Sequence, residues 1–302
     1  MFRMVEFPSE GATLRGRLYA RPNALRPSPL VIMAHGFSAT VSGMVADRYA
    51  EVFHDAGFAV LLYDHRNFGL SEGEPRQQIN DWVQARGYRD AIQFALTIPE
   101  VDASRIAMWG DSSSGGEAIV VGAIDSRVRA IVAQVPACGS DLPPADPEGA
   151  LFAAIRETFL EGDVSGAPET TVGPMPVVSF DQLGSPSLLT PLTAFRWFME
   201  YGGRHGTHWQ NWATWVDPVT PAPFHPVLCA PHLQAPFLMV LAPDDEMSGA
   251  VPAVARAAFD AAPPPKELFE ITGGHFGLLY YPSAVFDQAS SAQRDFLIRR
   301  LM

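Results

Sequence analysis

Apolar residues in this chain gather in short runs that alternate with longer amphipathic stretches. The run from Pro236 to Ala242 is nearly continuous, as expected of a strand buried on both faces of a sheet. Strands are expected near 4–8, 13–20, 29–34, 58–63, 105–109, 128–135, 236–242 and 267–271. Helices are expected near 44–56, 80–97, 114–124, 250–261 and 284–300. In the second of these, Val83, Tyr88, Ile92 and Ala95 recur at helical spacing, the signature of a face packed on a core. Strand and helix in turn predict an α/β fold, with a mostly parallel eight-stranded sheet covered by helices on both faces. No internal repeat is evident, which excludes solenoid architectures.

The alternation breaks between residues 137 and 231. Pro- and Gly-rich loops fill this stretch, with helical patches at 150–161 and 192–201. It predicts a helical lid inserted after the sixth strand, on a core formed by residues 1–136 and 232–302. Trp197, Trp209, Trp212 and Trp215 all fall inside it. A small cap needs large side chains for its own core. The same aromatics are candidates for lining an apolar substrate pocket, and Phe152, Trp197, Phe198, Tyr201 and Trp212 are singled out for that role beside Phe195.

Composition narrows the picture further. At 302 residues and 47% hydrophobic content, the chain buries a substantial core. A net charge of −12 with scattered basic residues gives no electrostatic case for nucleic acid. No apolar stretch is long enough to span a bilayer and no basic leader precedes an apolar segment, so a cytoplasmic protein without a membrane partner is expected. Cys138 and Cys229 lack metal-site spacing and are expected to be free thiols, with a bridge across the insertion as the alternative. His205 and His208 are separated by Gly206 and Thr207 with no carboxylate nearby, so no metal site is expected. No cofactor is implied.

The chemistry concentrates at 105–116, Arg-Ile-Ala-Met-Trp-Gly-Asp-Ser-Ser-Ser-Gly-Gly. A buried strand ends at Gly110 and a helix begins soon after, so Ser112 stands at the apex of a tight strand-to-helix turn. The residues two before and two after the apex approach each other and must be small, as Gly110 and Ser114 are. Two further loops follow in order. The strand at 236–242 runs into Pro243-Asp244-Asp245-Glu246, and the strand at 267–271 into Gly273-Gly274-His275-Phe276-Gly277. Serine, aspartate and histidine thus stand at the C-terminal ends of strands, where open α/β sheets bind ligands. Asp245 is preferred as the histidine's partner because Asp244 shapes the turn after Pro243, but either neighbour fits the spacing. Glu246 and Met247 read as structural. Finally, Ala34-His35-Gly36-Phe37 follows the strand at 29–34; His35 reads as an anchor of that loop and not as a base.

This set of motifs resembles the α/β-hydrolase superfamily, in the dienelactone-hydrolase-like and X-Pro-peptidase-like neighbourhood of bacterial serine esterases. The resemblance covers nearly the whole chain, from the hairpin at 5–18 through Tyr63-Asp-His-Arg-Asn-Phe-Gly-Leu-Ser-Glu-Gly73 to the His275 loop. Ser114 stands where the elbow usually has glycine, and Asn67 where the turn after the fourth strand often does. The resemblance implies a catalytic triad of Ser112, Asp245 and His275, with the backbone N–H groups of Phe37 and Ser113 as the oxyanion hole. It implies a carboxylesterase-type hydrolase acting on a small-molecule ester through an acyl-enzyme. Acyl transfer, C–C bond hydrolysis and Pro-peptide cleavage use the same triad, and a non-catalytic binding protein on the scaffold is the alternative from a different class. Oligomeric state is left open, a homodimer being one option.

Overall fold

All eight strands expected from the apolar runs form, and they join in one sheet. The computed structural model describes residues 1–21 and 26–302. The chain begins with β1 (Arg3–Ser9), β2 (Ala12–Tyr19), β3 (Ser28–Ala34), α1 (Ala46–Asp55), β4 (Ala59–Tyr63), β5 (Gln78–Ile79) and α2 (Asp81–Ala95). Next come β6 (Val101–Asp111), α3 (Ser113–Ile124) and β7 (Val128–Gln134). The inserted stretch holds α4 (Ala150–Glu161), β8 (Pro168–Met175), α5 (Leu192–Tyr201), β9 (Ala213–Pro218) and the short α6 (Pro226–Cys229). The chain closes with β10 (Phe237–Leu241), α7 (Pro252–Ala261), β11 (Lys266–Glu270) and α8 (Ala284–Leu301).

The main sheet has the order β1-β2-β4-β3-β6-β7-β10-β11. The first hairpin is antiparallel and β2 meets β4 antiparallel; every other pairing is parallel. Alternate residues of the central strands serve opposite cores. Phe237, Met239 and Leu241 join the core beneath α2, α3 and α7, while Leu238 and Val240 join the one beneath α1 and α8. Both faces of β10 are therefore apolar, which is why its sequence reads as a continuous run. β6 starts earlier than expected, because Val101 and Asp102 pair with Ser28 and Pro29 before a bulge realigns the strands. No helix among the described residues is long and apolar enough to cross a membrane.

The insertion differs from the expected purely helical lid. Its two helical patches form as α4 and α5, but β8 and β9 pair antiparallel and β5 joins them, giving a second sheet in the order β5-β9-β8. Gln78 and Ile79 lie parallel to Thr214 and Trp215, so this small sheet is fastened to the chain just before α2. β8 is exposed along most of its length and contains Gly173 and Pro174, so it lacks the apolar alternation that marks a strand. A two-residue strand such as β5 leaves no periodicity to read. Cys138 and Cys229 are buried free thiols, and burial pushes the Cys138 thiol up to about 12.

Candidate active site

The turn from β6 into α3 is as tight as the small residues around Ser112 imply. Ser112 has φ 53° and ψ −119°, a backbone conformation that costs an L-residue on the order of 1–3 kcal/mol. The surrounding backbone holds it there: the Ser112 amide donates to Gln134 at 3.0 Å, and the Ser112 carbonyl accepts from Gly116 at 3.1 Å and Ala137 at 2.8 Å. A Cβ on Gly110 would lie 2.1 Å from the Ser114 carbonyl oxygen, so only glycine fits there. On the other side, Ser114 uses its hydroxyl. Its Oγ donates to the His35 carbonyl at 2.8 Å and lies 2.8 Å from His65 Nε2, tying the elbow to two neighbouring loops.

The loop after β3 lies against the elbow. A Cβ on Gly36 would meet the Asp111 carbonyl oxygen at 2.7 Å and Ser112 Cβ at 2.9 Å, so glycine permits this approach. Asp111 grips the loop with both oxygens: Oδ1 accepts from the Gly36 amide at 3.1 Å, and Oδ2 lies 3.0 Å from His35 Nδ1. The other ring nitrogen, Nε2, faces the Met44 carbonyl. Burial alone would depress the His35 pKa, but Asp111 and the Met44 carbonyl outweigh it and raise it. With both nitrogens facing acceptors, His35 anchors the loop and offers no lone pair to a substrate. The amides of Phe37 and Ser113 donate to no other protein group among the described residues, and both residues border the same cavity as Ser112.

The two C-terminal loops bring the acid and the imidazole together. Asp245 Oδ2 lies 2.6 Å from His275 Nδ1, and each side chain is only 2% exposed. Asp245 Oδ1 accepts from the Met247 amide at 2.9 Å, which fixes the carboxylate plane. Asp244, the competing acid, is exposed. Glu246 has a part that spacing did not reveal. One of its oxygens accepts from the His275 amide at 2.9 Å and the other from the Thr193 hydroxyl, clamping the histidine loop to the start of α5. Ser112 and His275 line one cavity, and no hydrogen bond joins them among the described residues; such contacts are often loose before substrate binds.

That cavity has a volume of about 440 Å³. The insertion supplies much of its apolar wall, including Leu188, Leu189, Trp197, Phe198, Trp215 and Phe224. Trp197 and Phe198 therefore fall where the sequence pointed, but Phe152, Tyr201 and Trp212 do not. Phe152 stacks on His232 with ring centroids 3.6 Å apart and does not border the cavity. Tyr201 is buried, and its hydroxyl accepts from the Tyr281 amide at 2.9 Å. Trp212 is 38% exposed and donates to Gln210. Helical and aromatic spacing cannot tell a cavity wall from a cap core, and Trp215 belongs to the unexpected strand β9.

Buried ionisable groups surround the site. His65 is pushed down to about 3 by burial and the nearby His35, while burial raises Glu117 well above the carboxylate range. Asp81, the first residue of α2, borders the cavity and is pushed up to about 7 by burial and then by Asp217.

Comparison with known proteins agrees with this architecture. The Hydrolase_4 family model, serine aminopeptidase S33, matches residues 26–167. Thiohydrolase aneE of Aspergillus aculeatus is 44% identical over 133 residues, which is 44% of this chain and 41% of that relative. This chain thus spans less than half of that relative's length. The quorum-quenching protein AidA of Acinetobacter baumannii is 26% identical over 302 residues, covering 98% of this chain and 94% of that one. Among solved structures, the α/β hydrolase GrgF from Penicillium sp. superposes with a TM-score of 0.73 at 26% identity, covering 100% of this chain and 99% of that one. The sheet order, the elbow and the likeness to GrgF give the chain the α/β-hydrolase fold, and over residues 26–167 it is similar to the serine aminopeptidase S33 family.

Proposed function

We propose that this protein is a serine hydrolase that cleaves carboxylic esters through an acyl-enzyme on Ser112. The observation that carries this reading is the strained Ser112 at the elbow apex, sharing a cavity with a histidine locked by Asp245 at 2.6 Å. Asp245 accepts the Nδ1 proton of His275, which leaves Nε2 with its lone pair toward the cavity. Ser112 Oγ attacks the ester carbonyl as its proton passes to Nε2. The tetrahedral oxyanion receives the N–H groups of Phe37 and Ser113, which otherwise lack protein acceptors among the described residues. Collapse expels the alcohol, which takes the proton from His275. Water then attacks the acyl-enzyme by the same route, releasing the acid and restoring Ser112.

In this account residues 137–231 form a lid over a hydrolase core of residues 1–136 and 232–302. Its support is the share of the cavity wall that the insertion supplies. The substrate is a small, largely apolar ester, met in the cytoplasm. A second reading, acyl transfer or thioester cleavage, is favoured by the apolar cavity and by relatives whose names are thiohydrolase and polyketide transferase. Burst kinetics with p-nitrophenyl butyrate separate these possibilities. A burst of one nitrophenol per chain followed by slower turnover is expected for an acyl-enzyme. Products that shift from acid to new ester on adding an alcohol indicate transfer. A linear time course with no acylated intermediate in the mass spectrum would overturn the acyl-enzyme.

A further inference from the structure

One carboxyl group in the cavity has no assigned task. Most of the wall is apolar, and its histidines and carboxylates are engaged elsewhere among the described residues, with one exception. His35 and Asp111 hold each other. His225 accepts from the Val227 amide at 3.3 Å and lies 3.3 Å from the Asp141 carbonyl, and His275 is bound to Asp245. Asp81 lines the same cavity and makes no hydrogen bond among the described residues.

Asp81 stands in the first turn of α2, where a negative charge suits the helix dipole. An acidic residue at the start of a helix commonly serves as a cap, but α2 is capped by Asn80, whose Oδ1 accepts from the Val83 amide at 3.2 Å. The Asn80 Nδ2 donates to the Val164 carbonyl at 2.8 Å, and the two residues before it pair with β9 beside Trp215. Asp81 is thus held on well-anchored backbone, where a recognition group is most effective. Burial and Asp217 work against its charge. Asp81 is part-buried in a mostly apolar wall and has no protein partner among the described residues, so its carboxyl is free to meet a ligand in the cavity.

We propose that Asp81 is a specificity-determining residue that receives a hydroxyl group carried on an otherwise apolar substrate. This rests on the serine-hydrolase reading of the same cavity. A carboxylate accepts a hydrogen bond, and a carboxylic acid also donates one. A substrate hydroxyl satisfies either form, because it too both donates and accepts. An alkyl chain at that position leaves the carboxyl unpaired, and the ionised form repels a substrate carboxylate. Sites built to hydrogen-bond a substrate hydroxyl discriminate strongly against the analogue that lacks it, because the site's own polar group is then stranded.

The test uses p-nitrophenyl esters of octanoic acid and of octanoic acids hydroxylated near the carboxyl, at mid-chain and at the far end. The readout is the ratio of kcat/KM between each hydroxylated ester and the plain one. At least one hydroxylated isomer is expected to be favoured by roughly tenfold or more. Asp81→Leu abolishes that preference, and Asp81→Asn, which can still donate and accept, retains part of it. Asp81→Ala replaces the leucine variant if leucine prevents folding, as judged by near-UV circular dichroism. Equal ratios in the wild type and the leucine or alanine variant, for every isomer, overturn the proposal. Turnover of plain octanoate with a fluorophosphonate adduct on the wild type keeps that result separate from failure of the serine-hydrolase reading, which would show neither.

Discussion

Gly110 and Ser114 meet across the turn that carries Ser112, and their contact decides whether Ser112 can stand at its apex at all. A methyl group on Gly110 would press against the Ser114 carbonyl, a backbone atom that cannot rotate away. Gly110→Ala is therefore expected to lower stability by about 1–3 kcal/mol and to abolish turnover, measured by thermal melting and by ester hydrolysis. Asp81 gives a pH-dependent prediction. Its folded-state pKa of about 7 lies above the ordinary value near ~4. Below the ordinary value both states are protonated and there is no penalty. As pH rises toward the folded value, the unfolded chain releases a proton that the folded one keeps, so the residue progressively destabilises the fold. Asp81→Asn should thus raise the melting temperature more at pH 8 than at pH 4.5, and an equal shift at both would contradict this. The restriction at Gly110 was legible in the sequence because it is set by residues four apart. Asp81 was not, because its place in the wall depends on a cavity assembled by distant elements.

At the scale of elements, loops at strand ends do the chemical positioning and the sheet keeps them in register. β10 and β11 are parallel neighbours, so the loops that follow them emerge side by side and bring Asp245 to His275. Asp245→Asn should preserve the fold and lower kcat by about three to four orders of magnitude, because the amide favours the wrong tautomer of His275. A fall of less than tenfold would argue that Asp245 is not the orienting acid. The strands of the main sheet could be read from sequence because central strands are buried on both faces. β8 escaped because it is mostly exposed, and β5 because it is two residues long. The same limit applies to Glu246: its bonds to the His275 amide and Thr193 depend on how α5 comes to rest against the histidine loop.

For the whole molecule, the main sheet and its helices give the α/β-hydrolase fold, while residues 137–231 supply much of the cavity's apolar wall. The family model ends at residue 167, so most of the insertion and the later core lie beyond it. Trp215 joins the cavity from β9 and meets Phe37 edge-on with ring centroids 5.8 Å apart. Trp215→Ala should raise KM for octanoyl esters by about tenfold and for acetyl esters by much less, giving a chain-length profile that differs from the wild type. Parallel profiles would remove Trp215 from substrate binding. The overall architecture was legible because alternating strand and helix leave few arrangements open. The cavity wall was only partly so: Trp197 and Phe198 border it, whereas Phe152, Tyr201 and Trp212 lie in packing or at the surface.

The most direct test of the account is the intact mass of the wild type and of Ser112→Ala after incubation with a fluorophosphonate, alongside p-nitrophenyl butyrate hydrolysis. The account predicts one adduct on the wild type, mapped to Ser112, and neither adduct nor appreciable turnover in the alanine variant. Equal labelling of the two proteins, or hydrolysis that survives the substitution, would contradict Ser112 as the nucleophile.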